Sequence, residues 1–336
     1  GQGCGVWYSA NSVSVFEMIQ TYLRVTGDFN FLNERVGDET VFEHMKSLAT
    51  NWRQLVMDHS SVADYGGAGD LLECVPTYIH GVASLNAANA GMMRALAELA
   101  EHRGDGSLAA QLRKEATRLA DAVRGLYVPG EGVWKCLQPD GKYFIVRHVY
   151  DFAMTARWIP EDLTPSMRRE MIRFAGRELI TKYWIRALSL MDPAAPESDR
   201  PDHGPMGAYD AWPALMLKGM NKLGYRREAF EVLHHFEKVT HEGPFSQSHE
   251  LLGRNYDAPV RVARRGGQTT NEVCGSAFAD VIIGSFFGFQ PDLAGRHGLV
   301  DPGLPRGFEG RLIGLRWGGK LYNIISGAHG VSMKAH

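Results

Sequence analysis

Residues 82–127, VASLNAANAGMMRALAELAEHRGDGSLAAQLRKEATRLADAVRGLY, decide the fold. The first half is an uninterrupted Ala/Leu/Glu run of helical composition. After the tight turn Asp105-Gly-Ser, the spacing of Leu108, Leu112, Leu119, Val123 and Leu126 holds one apolar face along a second helix. The stretch predicts two helices, over 82–101 and 108–127, folded back as a hairpin. The same unit recurs along the chain. Helical patterns cover 13–25 and 41–56, then 149–158 and 165–183, then 211–223 and 227–239, and finally 276–287. The first member of each pair begins about every 65 residues, longer than the common solenoid periods.

The connections between these helices alternate in character. Asp105-Gly-Ser and Gly224-Tyr-Arg are tight, whereas 60–80, 189–210 and 241–274 are long, aromatic and rich in Gly and Pro. A solenoid keeps its connections uniformly short. One end of this scaffold is therefore trimmed and the other elaborated, and long loops on one end of a rigid scaffold are where binding and catalysis concentrate. Closing such hairpins into a ring gives an (α/α) toroid with the loops lining a central funnel.

Two departures from all-α are expected. Val133-Trp-Lys-Cys-Leu-Gln-Pro139-Asp140-Gly141-Lys142-Tyr-Phe-Ile-Val146 reads as a β-hairpin around Pro-Asp-Gly. Beyond Gln290-Pro291-Asp292 the helical period stops, and Leu312-Ile-Gly-Leu-Arg-Trp and Lys320-Leu-Tyr-Asn-Ile-Ile read as strands. The expected organisation is a helical toroid over 1–292 and a short β appendage over 293–336.

Composition excludes several classes. The 336 residues are 44% hydrophobic and 22% charged, which suffices for one large core. A net charge of −2 with no basic run leaves no footprint for nucleic acid or an anionic membrane. The longest apolar run, Val281 to Phe289, is far short of the roughly 20 residues a membrane helix needs. Cys4, Cys74, Cys136 and Cys274 are widely spaced, without zinc-ligand spacing, and read as reduced thiols. No metal or other cofactor is expected. The opening Gly1-Gln-Gly-Cys-Gly-Val-Trp7-Tyr8 carries neither an initiator Met nor a charged n-region, which reads as a fragment or processed chain, so compartment stays open.

The chemistry-bearing candidates sit in the long loops. Glu73 lies in Asp70-Leu-Leu-Glu73-Cys-Val-Pro76-Thr-Tyr78 and Glu250 in Ser246-Gln-Ser-His249-Glu250-Leu-Leu-Gly253, each in loop sequence upstream of a helix. Two acids delivered from opposite halves of one fold suggest glycoside chemistry, in which one carboxylic acid protonates the leaving oxygen and a carboxylate activates water. Glu73 is the expected acid, with Leu71, Leu72 and Val75 as its desolvating neighbours, and Asp70 competes with it. Glu250 is the expected base.

A third loop, Asp199-Arg200-Pro-Asp202-His203-Gly-Pro-Met-Gly-Ala-Tyr209-Asp210-Ala-Trp212, is the densest polar and aromatic segment. Arg200, His203, Tyr209, Asp210 and Trp212 suit vicinal hydroxyls and sugar faces, and Asp202 is a reserve acid. Trp7, Tyr8, Asn11, Asp70, Tyr78, His80, His249 and Gln268 complete the candidate substrate contacts. Arg261, Arg264 and Arg265 either meet an anionic substrate or hold their loop to the rim. Gly66-Gly-Ala-Gly69 lacks the Lys-Ser/Thr of a phosphate-binding loop and reads as flexible backbone.

These segments resemble the six-hairpin glycosidases, in particular the trehalase, processing α-glucosidase and mannosylglycerate hydrolase group. Glu73-Cys-Val-Pro76-Thr77-Tyr78 followed by Leu85-Asn86-Ala87 is similar to that group's Asp-x-x-Pro-Arg-aromatic segment and Leu-Asn-Ala helix start. Ser248-His249-Glu250 through Tyr256, and then Gly275-Ser-Ala-Phe278, is similar to its Glu-x-Tyr segment before the last aromatic helix. The chain departs from the pattern with Glu at 73 and Thr at 77, and shows five inner helices where a six-hairpin toroid has six. The resemblance implies an (α/α)6 toroid, an N-terminal hairpin missing from this chain, a carbohydrate substrate and inversion across carboxyls about 6.5–9.5 Å apart. A toroid-fold epimerase using His80, His203 or His249 as base, a phosphorylase, and a non-catalytic carbohydrate-binding protein stay open beside it.

Overall fold

The computed structural model describes residues 8–72, 75–182, 184–198, 204–208, 211–240, 250–252, 260–262, 272–293, 298–299 and 301–335. For 237–240, 250–252, 260–262 and 272–275 it describes the backbone alone. Nine α-helices lie among these residues: α1 Ala10–Thr26, α2 Val41–Thr50, α3 Ala83–His102, α4 Gly106–Arg124, α5 Val149–Trp158, α6 Pro165–Phe174, α7 Ala211–Lys222, α8 Arg226–Thr240 and α9 Glu272–Val281. The odd-numbered helices pack one upon the next, α1 on α3, α3 on α5, α5 on α7 and α7 on α9, while α4 and α8 lie outside α3 and α7. This is the inner row and outer layer that the alternating hairpins predict.

Side-chain size explains the row. α3 is buried around nearly its whole circumference, and its Ala and Gly residues let neighbours approach closely. A Cβ on Gly91 would run into Cε3 of Trp158 in α5, and one on Gly219 of α7 would stand 3.0 Å from Ala156. Local signals set the ends. The Asp105 carboxylate accepts from the Leu108 N–H at 2.9 Å, Thr164 caps α6 ahead of Pro165, and Gly27 at φ 72° closes α1.

The strands depart further from expectation than the helices. β1 Arg35–Val36 and β2 Glu39–Thr40 form a small ribbon before α2. β3 Tyr127–Val128, β4 Val133–Leu137 and β5 Tyr143–Val146 form an antiparallel sheet, so Tyr127, expected as the last residue of a helix, is extended and pairs with Trp134. β6 Glu250–Leu252 and β7 Val260–Val262 form an antiparallel pair that places Glu250 opposite Val262. Glu250 is therefore on a strand, where sequence predicted loop: three residues of ladder suffice to hold it, too few to show a period. β8 Gly310–Trp317, β9 Lys320–Gly327 and β10 Gly330–Ala335 form a three-stranded antiparallel sheet in the order 10-9-8. Its Trp317 donates from Nε1 to the Arg24 carbonyl at 3.0 Å, fastening the sheet to the end of α1.

Two predicted helices stop short. α2 ends at Thr50 and continues as a 3-10 turn to Leu55, and α6 ends at Phe174 in a π turn over Ala175–Leu179. In the second case Glu178 turns inward to meet Arg147. Among the described residues no helix is long and apolar enough to cross a membrane, and no group of His, Cys, Asp and Glu has metal-binding geometry.

Candidate active site

The long loops all lead, in chain order, to the N-terminal ends of inner helices. Two buried amides on α3 set the first loop. Asn86 accepts from the Ala63 N–H at 2.9 Å and donates to the Val82 carbonyl at 2.9 Å, while Asn89 accepts from the Tyr65 hydroxyl at 2.5 Å. Their amides supply the partners a buried loop backbone requires. Asp64 is thereby fixed between two anchors.

Asp64 faces His80. The imidazole Nδ1 lies 2.9 Å from Oδ1 and 3.1 Å from Oδ2 of Asp64, and the same Oδ1 accepts from the Gly66 N–H at 2.8 Å. An ionised carboxylate only accepts, so Nδ1 carries the proton and Nε2 is the acceptor of the neutral ring. His80 has φ 62°, in the region that favours glycine, and is held there by bonds from its N–H to the Gly66 carbonyl at 2.7 Å and to its carbonyl from the Tyr65 N–H at 3.1 Å. Strain of this kind clusters at functional sites. Both side chains line an open cleft of about 680 Å³, with Ser9, Met57 and His59 on its walls.

Beneath that rim lies a fully buried polar floor. Tyr78 donates from its hydroxyl to Asp151 Oδ1 at 2.6 Å and lies 2.6 Å from the Ser84 hydroxyl, and the Ser84 N–H reaches the same Oδ1 at 2.8 Å. Asp151 Oδ2 has no hydrogen-bond partner among the described residues. Burial pushes the Asp151 carboxyl up to about 6, against the opposing pull of its bonds to Tyr78 and Ser84. Beside it, His148 accepts at Nδ1 from the Tyr150 N–H at 3.0 Å, which puts its proton on Nε2, and its ring meets Trp212 edge-on at 5.0 Å. Four inner helices, α1, α3, α5 and α7, thus bring their N-terminal ends to one polar and aromatic surface.

The third loop is tied to the same end. Arg147 holds Glu178 by two bonds of 2.7 Å and pairs with Glu131, while Ser189 donates to Glu178 at 2.7 Å. Burial acts to raise the Glu178 carboxyl, but the bonds from Arg147, Arg177 and Ser189 prevail and hold it down to about 2. Ala187 N–H to Gly207 carbonyl, 2.7 Å, and Trp184 Nε1 to Ala208 carbonyl, 3.0 Å, carry the loop to the start of α7.

Of the residues predicted from sequence, His80 stands in the cleft wall, Trp212 is half-buried in the first turn of α7, and Tyr8 and Asn11 are half-buried at the start of α1. Asp70 is exposed and its carbonyl accepts from the Ser9 N–H at 2.9 Å, joining the segment to α1. Tyr78 requires correction as a substrate contact: it is fully buried, with its hydroxyl committed to Asp151 and Ser84, and supports the floor instead. Trp7, Glu73, Arg200, Asp202, His203, Tyr209, Asp210, His249, Arg264, Arg265 and Gln268 lie outside the described residues, and for Glu250 and Arg261 the backbone alone is described. Sequence analysis missed Asp64 and Asp151. Asp64, ahead of Tyr65-Gly66-Gly67, had a visible turn signal. Asp151 had none, because its partners are 67 and 73 residues away.

No protein-family model matches the chain, and no curated protein does. Solved structures do. A sialidase superposes with TM-score 0.78 at 15% identity, over 98% of this chain and 31% of that one. A rhamnosidase from Klebsiella oxytoca with rhamnose bound gives 0.56 at 13% identity, over 82% of this chain and 47% of that one. A GH63 mannosylglycerate hydrolase from Thermus thermophilus in complex with glucose gives 0.56 at 12% identity, over 83% of this chain and 76% of that one. The chain thus spans about a third of the sialidase and about half of the rhamnosidase. The chain shares the helical-hairpin fold of these solved structures.

Proposed function

We propose that the chain is the catalytic toroid of a glycoside hydrolase that cleaves an O-glycosidic bond of an oligosaccharide or small glycoside with two carboxylates. The observation that carries this is the convergence of four inner-helix N-termini on one polar and aromatic surface, fed by the long loops and bordered by the cleft at His80. The shared fold supports it. Residues 1–292 form the toroid and 293–336 the appendage.

Glu73 is assigned as general acid and Glu250 as general base, with Asp202 in reserve. Two residues, one on either side of position 73 in the sequence, are anchored: Asp70 is bonded to Ser9, and Tyr78 to Ser84 and Asp151. Glu250 lies on β6, whose partner β7 precedes α9. In the assigned reaction the acid gives its proton to the departing oxygen while the base takes one from water, which attacks the anomeric carbon from the opposite face and inverts it. The half-buried Tyr8, Tyr150 and Trp212 offer ring surface for sugar faces, and His80, oriented by Asp64, offers a hydrogen bond to a hydroxyl.

Turnover by Glu73→Gln and Glu250→Gln on a panel of glycosides tests the assignment. Each substitution should reduce turnover by about 10²–10⁴ with the circular dichroism spectrum unchanged. Retention of more than a tenth of the wild-type rate in both overturns it. The Asp64–His80 pair favours one alternative, a sugar epimerase with His80 as base, because a carboxylate on Nδ1 orients Nε2 to accept a proton. That chemistry breaks a C–H bond and returns the proton to the opposite face, and yields an epimer with no glycosidic bond cleaved.

A further inference from the structure

The C-terminal halves of the same inner helices enclose a second cavity, of about 410 Å³, at the other end of the row from the loops. Its walls are dense in charge. Arg24 comes from α1, Arg94 from α3, Arg157 from α5, and Lys218 and Lys222 from α7, facing Glu17, Glu98, Glu161 and Asp280.

Most of the acids are spoken for. Glu17 pairs with Arg157, Asp280 lies 2.6 Å from Lys218 Nζ, and Arg94 engages Glu161 and, outside the lining, Asp162. Glu98 is the weakest counter-charge, because burial raises its carboxyl. Among the described residues, three cations of the lining, Arg24, Lys222 and the exposed Arg316 of β8, form no ion pair with a carboxylate. Lys222 donates to the neutral amide oxygen of Gln290 at 2.9 Å, and Arg24 Nε has no hydrogen-bond partner among the described residues.

These cations are also crowded. Burial, then repulsion from Arg157, pushes the Lys218 ammonium down to about 8, and Lys222 is lowered by burial and then by Lys218, Arg24 and Arg157. Helix C-termini attract cations, and this accounts for basic residues at this end. It leaves unexplained why neither Arg24 nor Lys222 donates its side chain to a terminal carbonyl among the described residues. Arg24 and Lys222 feel nearby acids such as Glu98 and Glu161 only through their charge, without an ion pair. Beside this cavity they suit a doubly charged partner, because a guanidinium fork with ammonium groups matches phosphate geometry.

We propose that this cavity binds a dianionic phosphate group between Arg24, Lys218 and Lys222, either inorganic phosphate or the monoester of a small molecule. The site is independent of the glycosidase assignment, since it lies at the opposite end of the inner helices and is read by binding. Thermal unfolding and isothermal titration of the whole chain with sodium phosphate, against sodium chloride of equal ionic strength, test it. Phosphate should raise Tm saturably, and Arg24→Gln and Lys222→Gln should each weaken it at least tenfold, while Lys334→Gln on β10 changes nothing. Lys222 is exposed on its outer side, so its variant carries the test if Arg24→Gln fails to fold. Glucose 6-phosphate binding tenfold tighter than phosphate identifies a monoester, and equal binding identifies the free ion. Absence of a saturable shift beyond that of chloride, or a shift unaltered in the folded variants, overturns the proposal.

Discussion

Asp151→Asn should abolish a defined part of the pH dependence of stability. Asp151 is buried to 1% relative exposure on the first turn of α5, and its Oδ1 takes both available hydrogen bonds while Oδ2 takes none among the described residues. Burial raises the folded-state carboxyl from 3.8 to about 6, outweighing the bonds from Tyr78 and Ser84. A folded pKa above the unfolded one means that the native state binds the proton more tightly. The stabilisation is fully present below the unfolded value and is lost as pH rises through about 6. The whole span corresponds to about 3 kcal/mol, of which about 2 kcal/mol falls between about pH 4.5 and pH 7.5. Asparagine keeps an acceptor for Tyr78 and Ser84 but does not titrate. Urea unfolding of both proteins across this range should show the wild-type free energy falling by about 2 kcal/mol relative to the variant. A constant difference, or one that moves in wild type's favour as pH rises, refutes the account of the floor.

Arg147→Met should destabilise the fold by about 3–5 kcal/mol in urea, because it leaves the Glu178 carboxylate, 5% exposed, without its bidentate partner; a loss under about 1 kcal/mol contradicts the ion pair as the anchor of that loop. His80→Gly removes the Asp64 contact but also about 1 kcal/mol of left-handed backbone strain, so it should unfold at higher urea than His80→Ala; the reverse order contradicts strain at φ 62°. Gly91→Ala should lower stability by about 1–3 kcal/mol through the clash with Trp158, and a neutral effect in the same assay contradicts close packing of α3 on α5.

The helices were legible because each buries a stripe of the same period against a neighbour, as Leu112, Leu119 and Val123 do in α4. The alternation of tight and long connections likewise showed which end of the row carries the elaborated loops. What escaped was structure fixed by distant partners. Helix α6 ends in a π turn where Glu178 meets Arg147, 31 residues earlier, and no local residue signals it. β10, with its alternating exposure, is short and polar enough to pass for tail until β9 pairs with it. At the site, His80 and Trp212 were visible as polar and aromatic residues near helix starts, yet Tyr78, visible for the same reason, is committed to the floor by Asp151 from across the chain. Composition in a loop reveals that a side chain is available for chemistry; long-range contact decides whether it faces substrate.

Proton NMR of the first minutes of reaction on a panel of gluco-, manno- and rhamnosides tests the central claim most directly. The account predicts release of free sugar as the inverted anomer, before mutarotation scrambles it. Release of the retained anomer contradicts the water-activating pair, and an epimerised sugar with its glycosidic bond intact, or no turnover of any glycoside, contradicts the hydrolase itself.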